Sequence, residues 1–75
     1  MAGDKIKELI AKQLGLEADE VNENAELVND LGADSLDIIQ MLIGLEREFS
    51  IVFDDEQIKK VKTVGDVIRF VESHN

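Results

Sequence analysis

The stretch 35–49, SLDIIQMLIGLEREF, carries more apolar side chains than one helix face can hold. Met41, Leu45 and Phe49 stand at i, i+4 and i+8, with Ile38 and Leu42 beside them. Leu36, Ile39 and Ile43 form a second stripe at i, i+3 and i+7. A chain of 75 residues buries only roughly 60% of its unfolded surface, so it cannot surround a helix on all sides. The first stripe is assigned to the core. The second either packs beneath the preceding loop or stays exposed, and an exposed apolar stripe rimmed by charge suggests a binding surface.

The start of this helix is equally well marked. Asp34 is a favourable N-cap, and Asp37 stands three positions on, where a capping box places its acid. Ser35 then falls at the helix N-terminus, where free backbone N–H groups and the positive end of the dipole favour an anion. Asp34 and Asp37 oppose that preference. On residue type alone, Ser35 reads as an ordinary first-turn or capping hydroxyl.

The other segments follow the same period. Residues 4–14 place Ile6, Leu9, Ile10 and Leu14 on one face, and Gly15 sits where a left-handed residue would end the helix. Residues 16–33 lack helical periodicity. A connection this long must be functional or tied down, and Leu16, Val21, Leu27 and Leu31 are the expected anchors. Ile51 and Phe53 anchor the next link, with Val52 exposed. Residues 54–60 predict a short third helix, with Asp54 and Gln57 spaced as a capping box and Ile58 and Val61 turned inward. Thr63 and Asp66 repeat that box before a fourth helix, whose inner face is Val64, Val67, Ile68 and Val71, with Phe70 beside it. Residues 72–75 are expected to fray. The fold class is all-α, a small antiparallel four-helix bundle with a long first loop and a short third helix.

Charge narrows the partners. Eight basic residues face 17 acidic ones, for a net charge of −9. No Lys or Arg occurs between Lys12 and Arg47. Such a surface repels nucleic acid and anionic membranes and attracts proteins with basic patches. The 44% of apolar residues, at ordered spacing, argues against disorder. Cysteine is absent, which excludes disulfides, thiolate metal sites and a cysteine nucleophile. No apolar run approaches the ~20 residues of a membrane span, and Met-Ala-Gly-Asp-Lys does not begin a signal peptide. A single domain over 1–75 and a cytoplasmic location are expected.

Asp30-Leu31-Gly32-Ala33-Asp34-Ser35-Leu36-Asp37 resembles the prosthetic-group attachment motif of the free-standing acyl carrier proteins, and the remaining layout is similar from end to end. The resemblance implies that Ser35 carries 4′-phosphopantetheine through a phosphodiester, added from coenzyme A by a phosphopantetheinyl transferase. It further implies an arm whose terminal thiol holds acyl groups as thioesters. Acyl-transferring, condensing and reducing enzymes with basic docking patches would then visit a monomeric carrier. The recognition surface carried over is Asp34, Leu36, Asp37, Ile39, Ile43 and Glu46. Ile38, Leu42, Leu45, Ile51, Phe53, Ile58, Val61 and Ile68 are candidates to line a space for the acyl chain, although each is also an ordinary core position. The sequence departs from the family's fatty-acid carriers at Gln40, Arg47 and Lys59, where acids are usual, in the apolar Val52-Phe53 link, and at Asp54, where proline is common. A carrier dedicated to one pathway is therefore an alternative, as is a carrier of aminoacyl or polyketide units. A non-covalent helical adaptor docking through Leu36, Ile39 and Ile43 is a reading of another class.

Intrinsic catalysis is not expected. A serine nucleophile needs a base, the only histidine is His74 near the end of the chain, and the Gly-x-Ser-x-Gly elbow is missing. A calcium loop begun at Asp30 would put Gly32 at position 3 and Met41 at position 12, so no metal site is expected there. The uninterrupted acidic interval 17–46 should repel itself. Raising monovalent salt from about 10 mM to about 1 M shortens the Debye length from ~30 Å to ~3 Å, so the melting temperature at neutral pH is expected to climb. Divalent cations should have the same effect, and melting that ignores both would mean that the acids are already compensated.

Overall fold

The computed structural model describes residues 2–73. Four α-helices follow one another, α1 (Ala2–Leu14), α2 (Ser35–Phe49), α3 (Asp55–Lys60) and α4 (Val64–Ser73), with a short 3-10 turn at Ala18–Glu20. α1 begins ahead of the predicted residue 4, and α3 begins one residue after Asp54, which is its cap. α4 stays helical through Ser73, past the start of the expected fraying, while His74 and Asn75 lie outside the described residues. The result is a small antiparallel helical bundle in which α1 packs against both α2 and α4.

The core follows the predicted stripes. Ile6, Ile10 and Ala11 of α1 meet Met41, Leu42 and Leu45 of α2 and Val64, Val67, Ile68 and Val71 of α4. Leu9, Leu14, Ile38 and Phe49 are half-buried at the margin of this cluster rather than sealed within it. Among the described residues no polar or charged side chain is buried. Phe53 is buried, and its ring stacks on that of half-buried Phe70 with centroids 4.3 Å apart. Contributions of this kind are worth roughly 0.5–1.5 kcal/mol beyond burial.

The long first connection is tied down, but by more than the expected apolar anchors. Val21 and Leu27 are buried, Leu16 and Leu31 are half-buried against the core, and Ala25 and Ala33 add two small buried contacts. The backbone does the rest. Leu27 N–H donates to the Lys62 carbonyl at 2.9 Å, Val64 N–H to Ala25 at 3.0 Å and Gly65 N–H to Glu23 at 2.9 Å. Glu26 and Thr63 thereby form an isolated antiparallel bridge. The approach is close enough that a Cβ on Gly65 would lie 3.0 Å from the Glu23 carbonyl oxygen, which explains a glycine in the first turn of α4. Residues 26–32 fold back on themselves through Glu26 N–H to Asp30 Oδ2 at 2.7 Å and Gly32 N–H to the Val28 carbonyl at 3.1 Å.

α2 ends at Ser50, a non-glycine residue in the left-handed region at φ 56°. The turn is fixed from within, because Glu46 accepts Ile51 N–H on its carbonyl and Phe53 N–H on its carboxylate, at 3.2 and 2.8 Å. α3 is held lightly. It contributes no fully buried side chain, and Ile58 and the following residue Val61, both expected to face inward, are half-buried.

Thr63 and Asp66 form the predicted reciprocal cap of α4. Asp66 Oδ2 accepts the N–H groups of Thr63 and Lys62, each at 3.1 Å, and Thr63 Oγ1 accepts Asp66 N–H. The Thr63 N–H bond is the largest influence holding the Asp66 carboxyl below its ordinary value of 3.8, helped by Lys62 N–H and Arg69 and opposed by partial burial. A carboxylate with a depressed folded pKa stabilises the fold above its unfolded value and loses that contribution as pH falls through the folded value. Urea midpoints are therefore expected to separate wild type from Asp66→Asn at neutral pH and to converge below pH 3.8. A separation that persists unchanged into acid would remove Asp66 as the cause.

Candidate attachment site

Ser35 is the first residue of α2 and is exposed. Its position is built in three steps along the chain. Ala33 is buried, and its N–H donates to the Leu27 carbonyl at 2.9 Å, which fixes the end of the loop to the core. Gly32, just before it, adopts φ +74°, a region where a side chain would be strained. Asp34 then extends outward and caps α2, with Asp34 Oδ1 accepting Asp37 N–H at 2.9 Å and Asp37 Oδ2 accepting Asp34 N–H at 3.2 Å. The two carboxylates thus meet backbone donors, leaving the Ser35 hydroxyl without a hydrogen-bond partner among the described residues. The hydroxyl sits on a rigid corner and is open to approach.

The surroundings of that corner are apolar and acidic together. Leu36, Ile39 and Ile43 are 61%, 46% and 42% exposed, which decides between the two readings of this stripe in favour of an open face. Asp34 is exposed and Asp37 half-buried. Glu46, placed on the same surface by the sequence, is half-buried, and one carboxylate oxygen is committed to Phe53 N–H. Val28, in the loop before the site, is another exposed apolar residue at 55%, and Val52 reaches 77%. No periodic signal marks Val28, because the loop has no period. Among the described residues the only ion pairs are Lys5–Glu48 at 3.0 Å and Arg69–Asp66 at 2.7 Å, so the acids of 17–46 have no side-chain cation beside them.

The eight residues named as candidate pocket lining divide by depth. Leu42, Leu45, Ile51, Phe53 and Ile68 are buried, whereas Ile38, Ile58 and Val61 are half-buried. Ile38 lies three residues after Ser35 and hence on nearly the same face of α2. It lines a cleft of about 290 Å³ together with Leu27, Val28 and Val61. Periodicity alone does not reveal this space, since a half-buried side chain beside a cleft has the same spacing as one that fills the core.

Among the described residues no histidine or lysine is hydrogen-bonded to the Ser35 hydroxyl, and His74 lies outside them. No group of three or more His, Cys, Asp or Glu capable of holding a metal occurs among the described residues, and no described helix is long and apolar enough to cross a membrane. The geometry defines a small helical bundle with an exposed serine at the start of α2.

Comparison with known proteins places that domain. The phosphopantetheine attachment site family matches residues 4–71. The acyl carrier protein of Clostridium acetobutylicum is 45% identical over 74 residues, covering 99% of this chain and 96% of the relative. That of Wolinella succinogenes is 45% identical over 71 residues, covering 95% and 93%. Among solved structures, a provisionally identified acyl carrier protein from Mycobacterium tuberculosis superposes with a TM-score of 0.94 at 33% identity, covering all of both chains at 100%. The acyl carrier protein from Enterococcus faecalis gives 0.83 at 30% identity, covering 99% and 94%. The chain belongs to the acyl carrier proteins, free-standing carriers rather than catalysts, whose prosthetic group is covalent 4′-phosphopantetheine.

The cap of α2 can be tested apart from any modification. Asp34→Ala removes an N-cap worth about 1 kcal/mol, which for a domain of this size lowers the melting temperature by roughly 4–8 °C. Asp34→Asn keeps a good cap and removes one of two neighbouring charges, so its melting temperature should stay within about 2 °C of wild type. Thermal unfolding followed by circular dichroism distinguishes them, and equal losses would mean that the charge of Asp34, not its cap, holds the corner.

Proposed function

We propose that Ser35 is the attachment point of the phosphopantetheine arm and that the chain presents acyl thioesters to enzymes of fatty-acid or related lipid and secondary-metabolite synthesis. The observation that carries this reading is the exposed, unpartnered hydroxyl of Ser35 on the rigid first turn of α2. When attached, the arm supplies a terminal thiol that holds the acyl group as a thioester. The residues fit such a group: the hydroxyl is exposed, Asp34 and Asp37 hold the helix start in place, and Ile38, three residues after Ser35, lines a cleft with Leu27, Val28 and Val61 and the polar Glu26, Asn29 and Lys62.

The chain's own contribution is presentation. Leu36, Ile39 and Ile43 form the apolar part of a docking face that follows Ser35 along α2. Asp34, Asp37 and the half-buried Glu46 add negative charge to it. Charge of this kind speeds encounter with a basic patch more than it tightens the complex. That suits a carrier that must leave each enzyme after one visit. A thin core with a lightly held α3 suits temporary shelter of the cargo.

A partner set particular to one pathway is favoured by one observation. Arg47 on α2, Lys59 and Lys60 on α3 and Lys62 just after it are exposed, and among the described residues none is in an ion pair, so the surface is not uniformly acidic. Enzymes adapted to a uniformly acidic carrier would meet repulsion there.

Incubation with coenzyme A and a phosphopantetheinyl transferase, followed by intact-protein mass measurement, tests the attachment. One phosphopantetheine is expected on wild type and none on Ser35→Ala. No mass gain on wild type, or a gain that survives the substitution, would falsify the assignment. A non-covalent adaptor would instead keep its partner-dependent function in Ser35→Ala.

A further inference from the structure

The exposed stripe of α2 ends on a charge opposite in sign to the one at its start. Leu36, Ile39 and Ile43 are its apolar members. Arg47 stands four residues after Ile43 and eleven after Leu36, so it continues the same stripe, about 16 Å along the axis from Leu36. The acids on either side of it are engaged away from the stripe. Glu46 is half-buried and accepts Phe53 N–H at 2.8 Å, and Glu48 pairs with Lys5 of α1 at 3.0 Å. Gln40, also on the stripe, is uncharged and accepts a hydrogen bond from Gln13 of α1 at 2.9 Å. Arg47 itself is exposed, and among the described residues its guanidinium has neither an ion pair nor a hydrogen bond. Three other exposed cations belong elsewhere. Arg69 is paired with Asp66, Lys62 lines the cleft beside Ile38, and Lys60 lines an open cleft of about 390 Å³ between α3 and α4 that shares Val61 with it.

We infer that the partner protein docking on α2 sets a carboxylate opposite Arg47, at the far end of an interface whose near end, beside Ser35, is met by cations. This rests on the carrier reading above and names the partner surface it requires. The face is graded along the helix, with acids at Asp34 and Asp37, hydrocarbon through Leu36, Ile39 and Ile43, and one cation at Arg47. Its complement runs from Lys or Arg through apolar side chains to Asp or Glu over the same distance. A partner laid down in the reverse direction puts like charges together at both ends, and a uniformly basic one does so at Arg47. Arg47 thus fixes the direction in which a partner lies along α2. Its planar fork suits the task, since it meets a carboxylate through two parallel hydrogen bonds. Arg47 also stands in the last turn of α2, where a cation favours the negative end of the helix dipole, so a test has to separate docking from stability.

The experiment uses the arm-bearing protein with Arg47→Lys, which keeps the charge and supplies an amine that carbodiimide joins to a touching carboxylate. The tagged protein, its arm verified by mass, is treated with carbodiimide in a soluble extract of its source cells, and the joined residues are read by peptide mass spectrometry. One protein is expected to be joined at both ends of the stripe, through its lysine to Asp34 or Asp37 and through its Asp or Glu to position 47. With that protein purified, Arg47→Glu should weaken binding about tenfold and Arg47→Gln by less, whereas Arg47→Lys should stay within about twofold of wild type. Melting temperatures are recorded for the same variants. A lowered melting temperature with unchanged binding would assign Arg47 to the helix dipole alone and overturn the inference. So would a protein joined through Asp34 or Asp37 while position 47 is joined to none of its carboxylates. A chain that takes no arm overturns the carrier reading and the inference with it, and the mass measurement made beforehand tells that failure from the other two.

Discussion

The junction between the first loop and the start of α4 is the constraint on which the remainder depends. Three backbone hydrogen bonds, from Leu27, Val64 and Gly65, join residues 23–27 to residues 62–65. Without them, the connection between α1 and α2 would bring only scattered side chains to the core. Its closure would then carry the entropic cost of a long flexible segment. With them, Leu27 is fixed, its carbonyl accepts Ala33 N–H, and the chain reaches Asp34 at a set place and angle. The position of Ser35 is thus determined from the opposite end of the sequence.

The site itself divides stability from availability. Both carboxylates nearest Ser35 are used as helix-capping acceptors, so the negative charge around the hydroxyl is held on a rigid frame. The helix N-terminus supplies N–H groups and a positive dipole end that partly offset that charge. The exposed stripe of Leu36, Ile39 and Ile43 exists because α2 has apolar side chains on two faces and the bundle has helices enough to cover one. An apolar face left open on a domain of this size is costly unless another surface meets it.

Much of this was legible in the residues. Period and caps located all four helices, because Asp34–Asp37, Asp54–Gln57 and Thr63–Asp66 are local signals whose geometry is decided within one turn. The core of α4 was legible for the same reason, since Val64, Val67, Ile68 and Val71 repeat at helical spacing. The loop was legible only in its large side chains. Ala25 and Ala33 are buried through backbone placement, which no periodicity announces. The bridge of Glu26 with Thr63 joins distant segments and leaves no local trace. Glu46 looked like part of a surface, and its inward bond to Phe53 N–H depends on a left-handed Ser50 that sequence does not specify. The Ser35 octet identified the family, whereas the two clefts that share Val61 emerged only when the helices were placed.

Among the described residues the interior contains no buried polar side chain. Nothing inside the bundle therefore locks one helix to another at a fixed rotation, as a buried amide or ion pair would. The hydrocarbon contacts among α2, α3 and α4 have no directional preference of their own, and the directional bonds on α2 lie at its surface, joining Glu46 to Phe53 N–H, and Gln40 and Glu48 to Gln13 and Lys5 of α1. Apart from these, the bonds that hold the fold's geometry lie at helix ends and along the loop. The molecule resembles a purse with a stiff clasp and a soft lining, its directional bonds gathered at the rim.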